Sequence, residues 1–273
     1  QSGRQDPAHS TFRVERDMTW KHLSLSVTGK SHSDRNEPGQ DYYRTGAIRF
    51  SDRDFFIGLA ADGAGSTTHG GTGAEIVCEM LYLQILSAIR KREDISSVTN
   101  DEIKAWVSAS REAIVARAQG DGRRVKDYAC TLIGVVVADN DALFFQIGDG
   151  CIVVGDKAGY RTVFWPDQGE YANMTFFVSD DDFLEHTRIA REETPPDEIA
   201  LFTDGLQNLV LSFSTRTVHE GFFRPLFTAL RKKPENGSAD LTKHLNALLS
   251  RDDVNARSDD DKTLILAVNV PTS

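Results

Sequence analysis

Three apolar segments of the chain end in the dipeptide Asp-Gly, and this repetition is the clearest chemical signal in the sequence. The segments FFIGLAADG, LFFQIGDG and IALFTDG place Asp62, Asp149 and Asp204 directly after predicted strands. A fourth apolar segment, KTLILAVNV, follows the acidic run Asp259 to Asp261. One Asp-Gly after a strand is a common turn. Carboxylates at the ends of several buried strands instead predict a cluster at one edge of a sheet core.

Such a cluster predicts bound cations. Carboxylates that are buried close together repel one another, and their desolvation is unfavourable. Hard divalent ions remove that cost, and ligation by carboxylate and main-chain oxygens suits Mg²⁺ or Mn²⁺. A glycine after the aspartate also lets the main-chain carbonyl approach an ion closely.

The glycine-rich segment at 65–72, GSTTHGGT, suggests a different site. It has the Gly-x-x-x-x-Gly spacing of a P-loop, but Gly71 occupies the position where a P-loop requires lysine. Because that ammonium group contacts the terminal phosphates, we reject the nucleotide-binding interpretation. The acidic run SDDDF at 179–183 is another candidate cation site, for which a solvated loop is the simpler interpretation.

Composition limits the classes of partner. The 273 residues include 41 acidic and 31 basic side chains, for a formal net charge of −10. This charge repels nucleic acid and anionic membranes and favours a cationic partner. The scattered cysteines Cys78, Cys130 and Cys151 fit neither a disulfide framework nor a zinc site. With no apolar run of membrane-spanning length and no signal-like N-terminal segment, we expect a cytoplasmic protein without nucleic-acid or membrane partners.

Hydrophobic periodicity predicts the elements that position the aspartates. We expect a flexible tail at 1–19 and a single domain at 20–273. Strands are predicted at HLSLSVTG, IRF, DFFIGLAAD, EIALFTDG and KTLILAVNV, with a meander of four consecutive antiparallel strands between CTLIG and RTVF. Helices are predicted at 72–90, 99–118, 218–232 and 238–250, and an irregular flap with one strand at MTFFVS is predicted at 165–197. Runs of strands and pairs of helices favour an α+β layered sandwich.

Five motifs, in order, resemble those of the metal-dependent serine/threonine protein phosphatases, the type 2C phosphatases. They are GQDYY, AADGAGS, YACTLIGVVV with FFQIGDG, ALFTDGLQN and DDKTLIL. The resemblance covers about residues 20 to 270, and the DGAG form is similar to the bacterial branch of the family. It implies a four-layer α-β-β-α sandwich, in which two antiparallel β-sheets are flanked by helix pairs.

The resemblance also implies a reaction: hydrolysis of phosphoserine and phosphothreonine in a protein by a water molecule that bridges two Mg²⁺ or Mn²⁺ ions. A phosphorylated protein substrate, a partner kinase or its target, and a monomeric enzyme are expected. The implied catalytic metal ligands are Asp41, Asp62, Asp204 and Asp260, joined by the Gly63 carbonyl and, for a third ion, Asp149.

The chain departs from the family pattern at the phosphate and at the metals. Asn36 lies where the family has a phosphate-binding arginine, so Arg35 and His32 are the candidate phosphate contacts. Gln40 replaces a glutamate beside Asp41, and this change predicts weaker metal binding.

A further departure concerns the proton donor. Ala64 replaces a histidine that eukaryotic members use as a general acid, which leaves His69 as a candidate donor. These departures keep two alternatives open. One is a phosphatase-like binding module with weak or no turnover, and the other is a phosphohydrolase of a small metabolite, for which a closed pocket is expected.

Overall fold

The structure is a computed structural model and describes residues 18–166, 175–233 and 238–271. Its strands are β1 Met18–Val27, β2 Tyr42–Phe50, β3 Arg53–Ala61, β4 Leu132–Ala138, β5 Asp141–Ile147, β6 Cys151–Asp156, β7 Gly159–Thr162, β8 Arg188–Glu192, β9 Glu198–Phe202, β10 Leu211–Ser212, β11 Thr217–Val218 and β12 Lys262–Pro271. Its α-helices are α1 Lys30–Ser33, α2 Gly70–Arg92, α3 Asn100–Gly120, α4 Gln207–Val210, α5 Glu220–Lys232, α6 Ser238–Leu249 and α7 Asp252–Asn255. Short 3₁₀ helices lie at Val125–Tyr128 and Asp204–Leu206.

Two antiparallel sheets form the centre of the fold. The first sheet has the strand order β1-β12-β9-β6-β7, and the second has the order β2-β3-β4-β5-β8. In the first sheet β1 and β12 pair along their whole length, from Met18 with Pro271 to Val27 with Lys262. Strands β10 and β11 form a separate pair.

Strand β3 shows why the central strands are almost continuously apolar. Phe55, Ile57 and Leu59 point into a core shared with α2 and α3, while Phe56 and Ala60 point into the core between the two sheets. Since successive side chains point to opposite faces, a strand buried on both faces requires apolar residues at every position. A third core lies between the first sheet and helices α5 and α6. These three cores separate four layers, and the predicted α-β-β-α sandwich is confirmed.

The four long helices form two pairs, α2 with α3 and α5 with α6, and each pair covers one outer face of the sheets. Helix α3 begins with a capping box, in which the Thr99 hydroxyl accepts from the Glu102 main-chain nitrogen and the Glu102 carboxylate accepts from the Thr99 main-chain nitrogen. Helix α2 is long and apolar enough, by length and composition alone, to cross a membrane. In this fold its buried residues, including Val77 and Leu81, pack against the second sheet, as expected of a core helix.

The structure corrects the predicted four-strand meander. Strands β4 and β5 pair in the second sheet, whereas β6 and β7 pair in the first, so the turn after β5 carries the chain from one sheet to the other. Gly148 in this turn has φ +92°, a backbone conformation that favours glycine. The buried Gln146 amide donates to the carbonyls of Gly148 at 2.9 Å and Gly150 at 2.7 Å, which fixes the crossover.

The predicted flap also differs. Residues 175–179 of the expected strand MTFFVS form no strand, because the Phe177 nitrogen donates to the Asp180 carboxylate and the Val178 nitrogen donates to the Cys130 carbonyl. Strand β8 lies within the predicted flap and pairs with β5 at the sheet edge. Residues 167–174 of the predicted flap, including Met174, and residues 1–17 of the predicted tail lie outside the described residues, while Met18 and Thr19 already belong to β1.

Candidate metal centre

Four aspartates lie at strand ends that meet at one edge of the sandwich. Asp41 directly precedes β2 and Asp62 directly follows β3, which is paired with β2 in the antiparallel sense. Asp204 lies just after β9 and Asp260 just before β12, which is likewise antiparallel to β9. Each sheet therefore contributes two carboxylates, and we call Asp41, Asp62, Asp204 and Asp260 the four site aspartates.

All four site aspartates have raised pKa values, and burial is the largest cause for each. Burial raises the pKa of Asp41 to about 7, and the charge of Asp261 adds to the rise. Burial, followed by the charges of Asp149 and Asp260, raises the pKa of Asp204 to about 7. Burial and the charges of the other three site aspartates raise the pKa of Asp62 well above its usual range, and burial also raises that of Asp260. Without a cation, the cluster binds protons that isolated carboxyl groups release.

Unused carboxylate oxygens show that the cluster fits divalent cations. Asp41 Oδ2 accepts a hydrogen bond of 2.8 Å from the Thr203 hydroxyl, but Asp41 Oδ1 is buried and has no partner among the described residues. Asp204 Oδ1 is also buried without a partner in the described part of the chain. A buried oxygen without a partner is unfavourable unless something coordinates it. The donor set is entirely oxygen, as Mg²⁺ and Mn²⁺ prefer.

The loop after β3 is packed tightly against the start of α2. A Cβ atom on Gly63 would lie 2.3 Å from the Gly70 carbonyl carbon, so this contact excludes any side chain. The Gly63 nitrogen donates to the Gln40 carbonyl at 3.2 Å, and the Asp62 nitrogen donates to the Thr131 hydroxyl at 3.0 Å. These bonds fix Asp62 and Gly63 beside Asp41. Metal binding by the Gly63 carbonyl stays a prediction.

Asp149 lies in the crossover between the sheets, beside the four site aspartates. Its charge contributes to the raised pKa values of Asp62 and Asp204. Its Oδ2 accepts a hydrogen bond of 2.6 Å from the Thr175 hydroxyl, and its carbonyl accepts one from the Gln207 amide. The binding of a third, weaker ion by Asp149 stays a prediction.

Asp261 is the residue that the sequence interpretation missed. Its carboxylate is buried and accepts hydrogen bonds from the main-chain nitrogens of Gly29 and Gln40, both at 2.6 Å. It also pairs with His32 Nδ1 at 3.1 Å. Asp261 thus ties both ends of the segment between β1 and β2, which leads into Asp41, to the start of β12. The run of three aspartates contained this signal, but the sequence did not show which of them points inward.

His32 and Arg35, the two candidate phosphate contacts, occupy different environments. His32 lies in α1 with only 3% of its surface exposed, and its Nε2 is buried without a partner among the described residues. This burial within a helix disfavours phosphate contact by His32, whose role as a phosphate ligand stays a prediction. Arg35 is exposed and lines a surface cleft together with Asp41. Its guanidinium pairs with Glu37 at 2.7 Å.

Three further side chains near the site have defined roles in packing. The Gln40 amide donates to the Thr67 carbonyl at 3.2 Å, which ties the loop before β2 to the glycine loop. The His69 ring stacks on Tyr128 with centroids 5.0 Å apart and is not part of the lining of the cleft, so its role as proton donor stays a prediction. The buried Lys262 ammonium donates to the Asp260 carbonyl at 2.8 Å and fixes that main chain.

Sequence comparisons place this chain among known proteins. Residues 28–250, which include Asp41, Asp62, Asp149 and Asp204, match the family described as Protein phosphatase 2C. Serine/threonine-protein phosphatase 3 of Escherichia coli (strain K12) is 33% identical over 255 residues, which cover 92% of this chain and 99% of that relative.

Structural comparisons agree with the fold. Serine/threonine phosphatase Stp1 from Staphylococcus aureus has a TM-score of 0.61 at 14% identity, over 98% of this chain and 99% of that chain. The catalytic domain of the serine/threonine protein phosphatase PstP, solved in complex with two manganese ions, has a TM-score of 0.59 at 15% identity, over 93% of this chain and 99% of that chain. At these identities the likeness concerns the fold.

Proposed function

This chain belongs to the protein phosphatase 2C family and is a serine/threonine protein phosphatase, and we propose that its four site aspartates bind two divalent metal ions, Mg²⁺ or Mn²⁺. One observation carries this proposal. The two sheets bring four carboxylates to one edge, where Asp41 Oδ1 and Asp204 Oδ1 are buried and lack partners among the described residues. Asp149 and the Gly63 carbonyl complete the proposed oxygen set, with Asp149 serving a third ion.

The protein positions these ligands through two uncharged threonine donors and through Asp261, which accepts from the main chain. The Thr203 hydroxyl orients Asp41, and the Thr263 nitrogen in turn donates to the Thr203 oxygen at 3.0 Å. Asp261 fixes the main chain at Gln40, next to Asp41. None of these donors neutralises the carboxylates, so their negative charge is available for cations.

Divalent ions held by these aspartates would neutralise phosphate charge and lower the pKa of a bound water molecule. The chain itself supplies the binding of the phosphoester. We propose Arg35 as the phosphate contact, because its guanidinium is exposed at the cleft that Asp41 also lines. A guanidinium donates two parallel hydrogen bonds to phosphate oxygens. His32 supports this loop from beneath through Asp261.

The exposed surroundings favour a protein substrate over a small metabolite. The cleft beside Asp41 is bordered by exposed residues, including Ser66 and Thr68, so a phosphorylated segment of a protein can lie across it. We propose that the substrate is a phosphoprotein, that a partner kinase or its target provides it, and that the enzyme is a cytoplasmic monomer.

The test is phosphate release from a phosphothreonine peptide by the purified protein in EDTA, Mg²⁺ or Mn²⁺. We expect release only with a metal ion, and a loss of at least about a thousandfold in Asp62→Asn and Asp204→Asn, because each change removes a charged ligand. Asp101→Asn, an exposed aspartate in the first turn of α3, is the matched control and should retain activity.

Each contrary outcome identifies an alternative. Metal binding in calorimetry without turnover of any phosphorylated compound would indicate a phosphatase-like binding module. Turnover of small phosphorylated metabolites without turnover of phosphopeptides would indicate a metabolite phosphohydrolase. Activity that persists in EDTA, or in both aspartate variants, would contradict the assigned metal ligands.

A further inference from the structure

A cleft next to Asp41 extends beyond the proposed metal centre. One wall is the segment 35–42 and the other is the glycine loop with the first turns of α2, residues 65–75. Its volume of about 590 Å³ lies within the range of small-molecule sites. Because Asp41 belongs to its lining, a residue adjacent to the phosphorylated one in a bound peptide can enter this cleft.

The charges in the cleft do not balance. Arg35 and Glu37 form an ion pair at 2.7 Å at one side of it. Glu75, on the α2 wall, is exposed, and no hydrogen bond or ion pair engages its carboxylate within the described parts of the chain. Glu79, one helical turn further, is instead occupied by the Tyr42 hydroxyl at 2.9 Å and by Arg44 at 3.4 Å. Apart from Asp41 of the proposed metal centre, Glu75 is therefore the acidic group of the described cleft lining that lacks a partner.

The rest of the α2 wall is polar but uncharged. Ser66 and Thr68 are exposed, and their hydroxyls can hydrogen-bond to the main chain of an extended peptide. The Thr67 hydroxyl donates to the Ala64 carbonyl at 2.9 Å, which gives the loop a fixed shape. A wall of this kind accepts a peptide main chain without selecting its sequence, so selection depends on the charged group.

We propose that this cleft binds a lysine or arginine side chain flanking the phosphorylated serine or threonine, with Glu75 as its ion-pair partner. This inference rests on the proposed function and adds a substrate preference to it. The net charge of −10 favours the same class of substrate, since it attracts cationic segments to the whole surface. Glu75 makes that attraction specific to one position.

The test compares two phosphothreonine peptides that differ only in the residues flanking the phosphothreonine, arginine in one and glutamine in the other. The readout is the ratio of their kcat/KM values. We expect the parent to prefer the arginine peptide by about two- to fivefold, as for a partly exposed ion pair. Glu75→Gln should lower this ratio towards one, and Glu75→Lys should invert it. The preference should also weaken at high salt.

A matched variant and a second measurement separate the possible failures. Glu112→Gln, at an exposed glutamate on α3, changes the net charge equally and should keep the parent ratio. An equal ratio in the parent, Glu75→Gln and Glu112→Gln would overturn the proposal. Metal-dependent hydrolysis of p-nitrophenyl phosphate by the parent tests the phosphatase function without flanking residues. If the parent hydrolyses nothing, the affinities of the same peptides, measured by fluorescence anisotropy, decide the Glu75 proposal alone.

Discussion

At the scale of single residues, the site divides into carboxylates that were predictable and supports that were not. The Asp-Gly repeats identify Asp62, Asp149 and Asp204 because a short local pattern carries the signal. Asp261 and His32 carry no such pattern, since they are 229 residues apart and meet only in the folded chain. Long-range hydrogen bonds of this kind cannot be predicted from local sequence.

The pair of His32 and Asp261 predicts a measurable effect on metal binding. Removing the imidazole in His32→Ala leaves Asp261 Oδ1 with the Gly29 nitrogen as its donor, and so loosens the carboxylate that fixes the chain next to Asp41. We expect Mn²⁺ affinity, measured by titration calorimetry, to fall about tenfold, as is typical when a group behind a metal ligand is lost. His32→Asn should restore part of the affinity, because its amide can still donate.

The matched control for this prediction is His244→Ala. His244 is an exposed histidine on α6 whose ring bonds to the Asp240 carbonyl within its own helix. The affinity of His244→Ala for Mn²⁺ should equal that of the parent. Equal affinities in the parent and in folded His32→Ala would show that the pair with Asp261 is only a packing contact.

At the scale of elements, the sequence predicts whether a segment is a helix or a strand better than it predicts which strands pair. The ends of strands β3, β9 and β12 and of the four long helices were predicted to within a few residues. Each of these segments has a clear apolar pattern along its length. The change of sheet between β5 and β6 was missed, because periodicity does not specify which strand pairs with which. Strand β8, RIARE, was missed because it is charged and lies at a sheet edge, where the apolar pattern is weak.

The contact between Gly205 and Asp261 shows how closely the segments that carry Asp204 and Asp260 approach each other. A Cβ atom on Gly205 would lie 1.9 Å from the Asp261 carbonyl oxygen, so the turn after Asp204 lies directly on the segment after Asp260. Gly205→Ala should lower the free energy of unfolding by about 1–3 kcal/mol, since main-chain atoms must move apart. It should weaken metal binding as well, because Asp204 and Asp260 separate.

Gly221→Ala provides the control for this change. Gly221 lies in the first turns of α5, and a Cβ atom there meets nothing within 4 Å. The free energy of unfolding of Gly221→Ala, measured by urea denaturation, should stay within about 1 kcal/mol of the parent or rise, because alanine favours the helix. Similar stabilities for both alanine variants would contradict the close approach at Gly205.

At the scale of the whole molecule, the site belongs to the interface between two sheets. The second sheet provides Asp41 and Asp62, and the first provides Asp204 and Asp260. An ion bound by both pairs would link the two halves of the sandwich, and metal binding would then be coupled to global stability. The four-layer arrangement itself followed from the order of strands and helix pairs in the sequence, together with the family resemblance.

The raised pKa values predict that stability falls as the pH rises, and that a bound metal ion offsets this loss. The folded-state pKa values of Asp41 and Asp204, about 7, lie above those of the unfolded chain. The folded protein therefore binds more protons between about pH 4 and 7, and its free energy of unfolding falls as the pH rises through that range. At pH 8 and a hundred times the Kd, Mg²⁺ should restore about 2.7 kcal/mol, because it binds only the folded state.

Calorimetry at pH 5 and pH 8, in EDTA and in Mg²⁺, measures both effects. Asp204→Asn removes one group with a raised pKa, so in EDTA it should lose less stability between the two pH values, by on the order of 2 kcal/mol. It should also gain less from Mg²⁺. Asp101→Asn should behave as the parent does. If Asp204→Asn matches the parent in EDTA, the proposed titration of the site is incorrect.

Strand β12 has a consequence for the time at which the enzyme becomes active during its own synthesis. It lies inside the first sheet, between β1 and β9, although it follows every other strand in the chain. While the ribosome is still extending the chain, β1 has no neighbour on its β12 side, and Asp260 does not yet exist. We therefore expect a nascent chain that has not yet added β12 to leave the phosphoproteins around it unchanged, and activity to begin once β12 is inserted between β1 and β9.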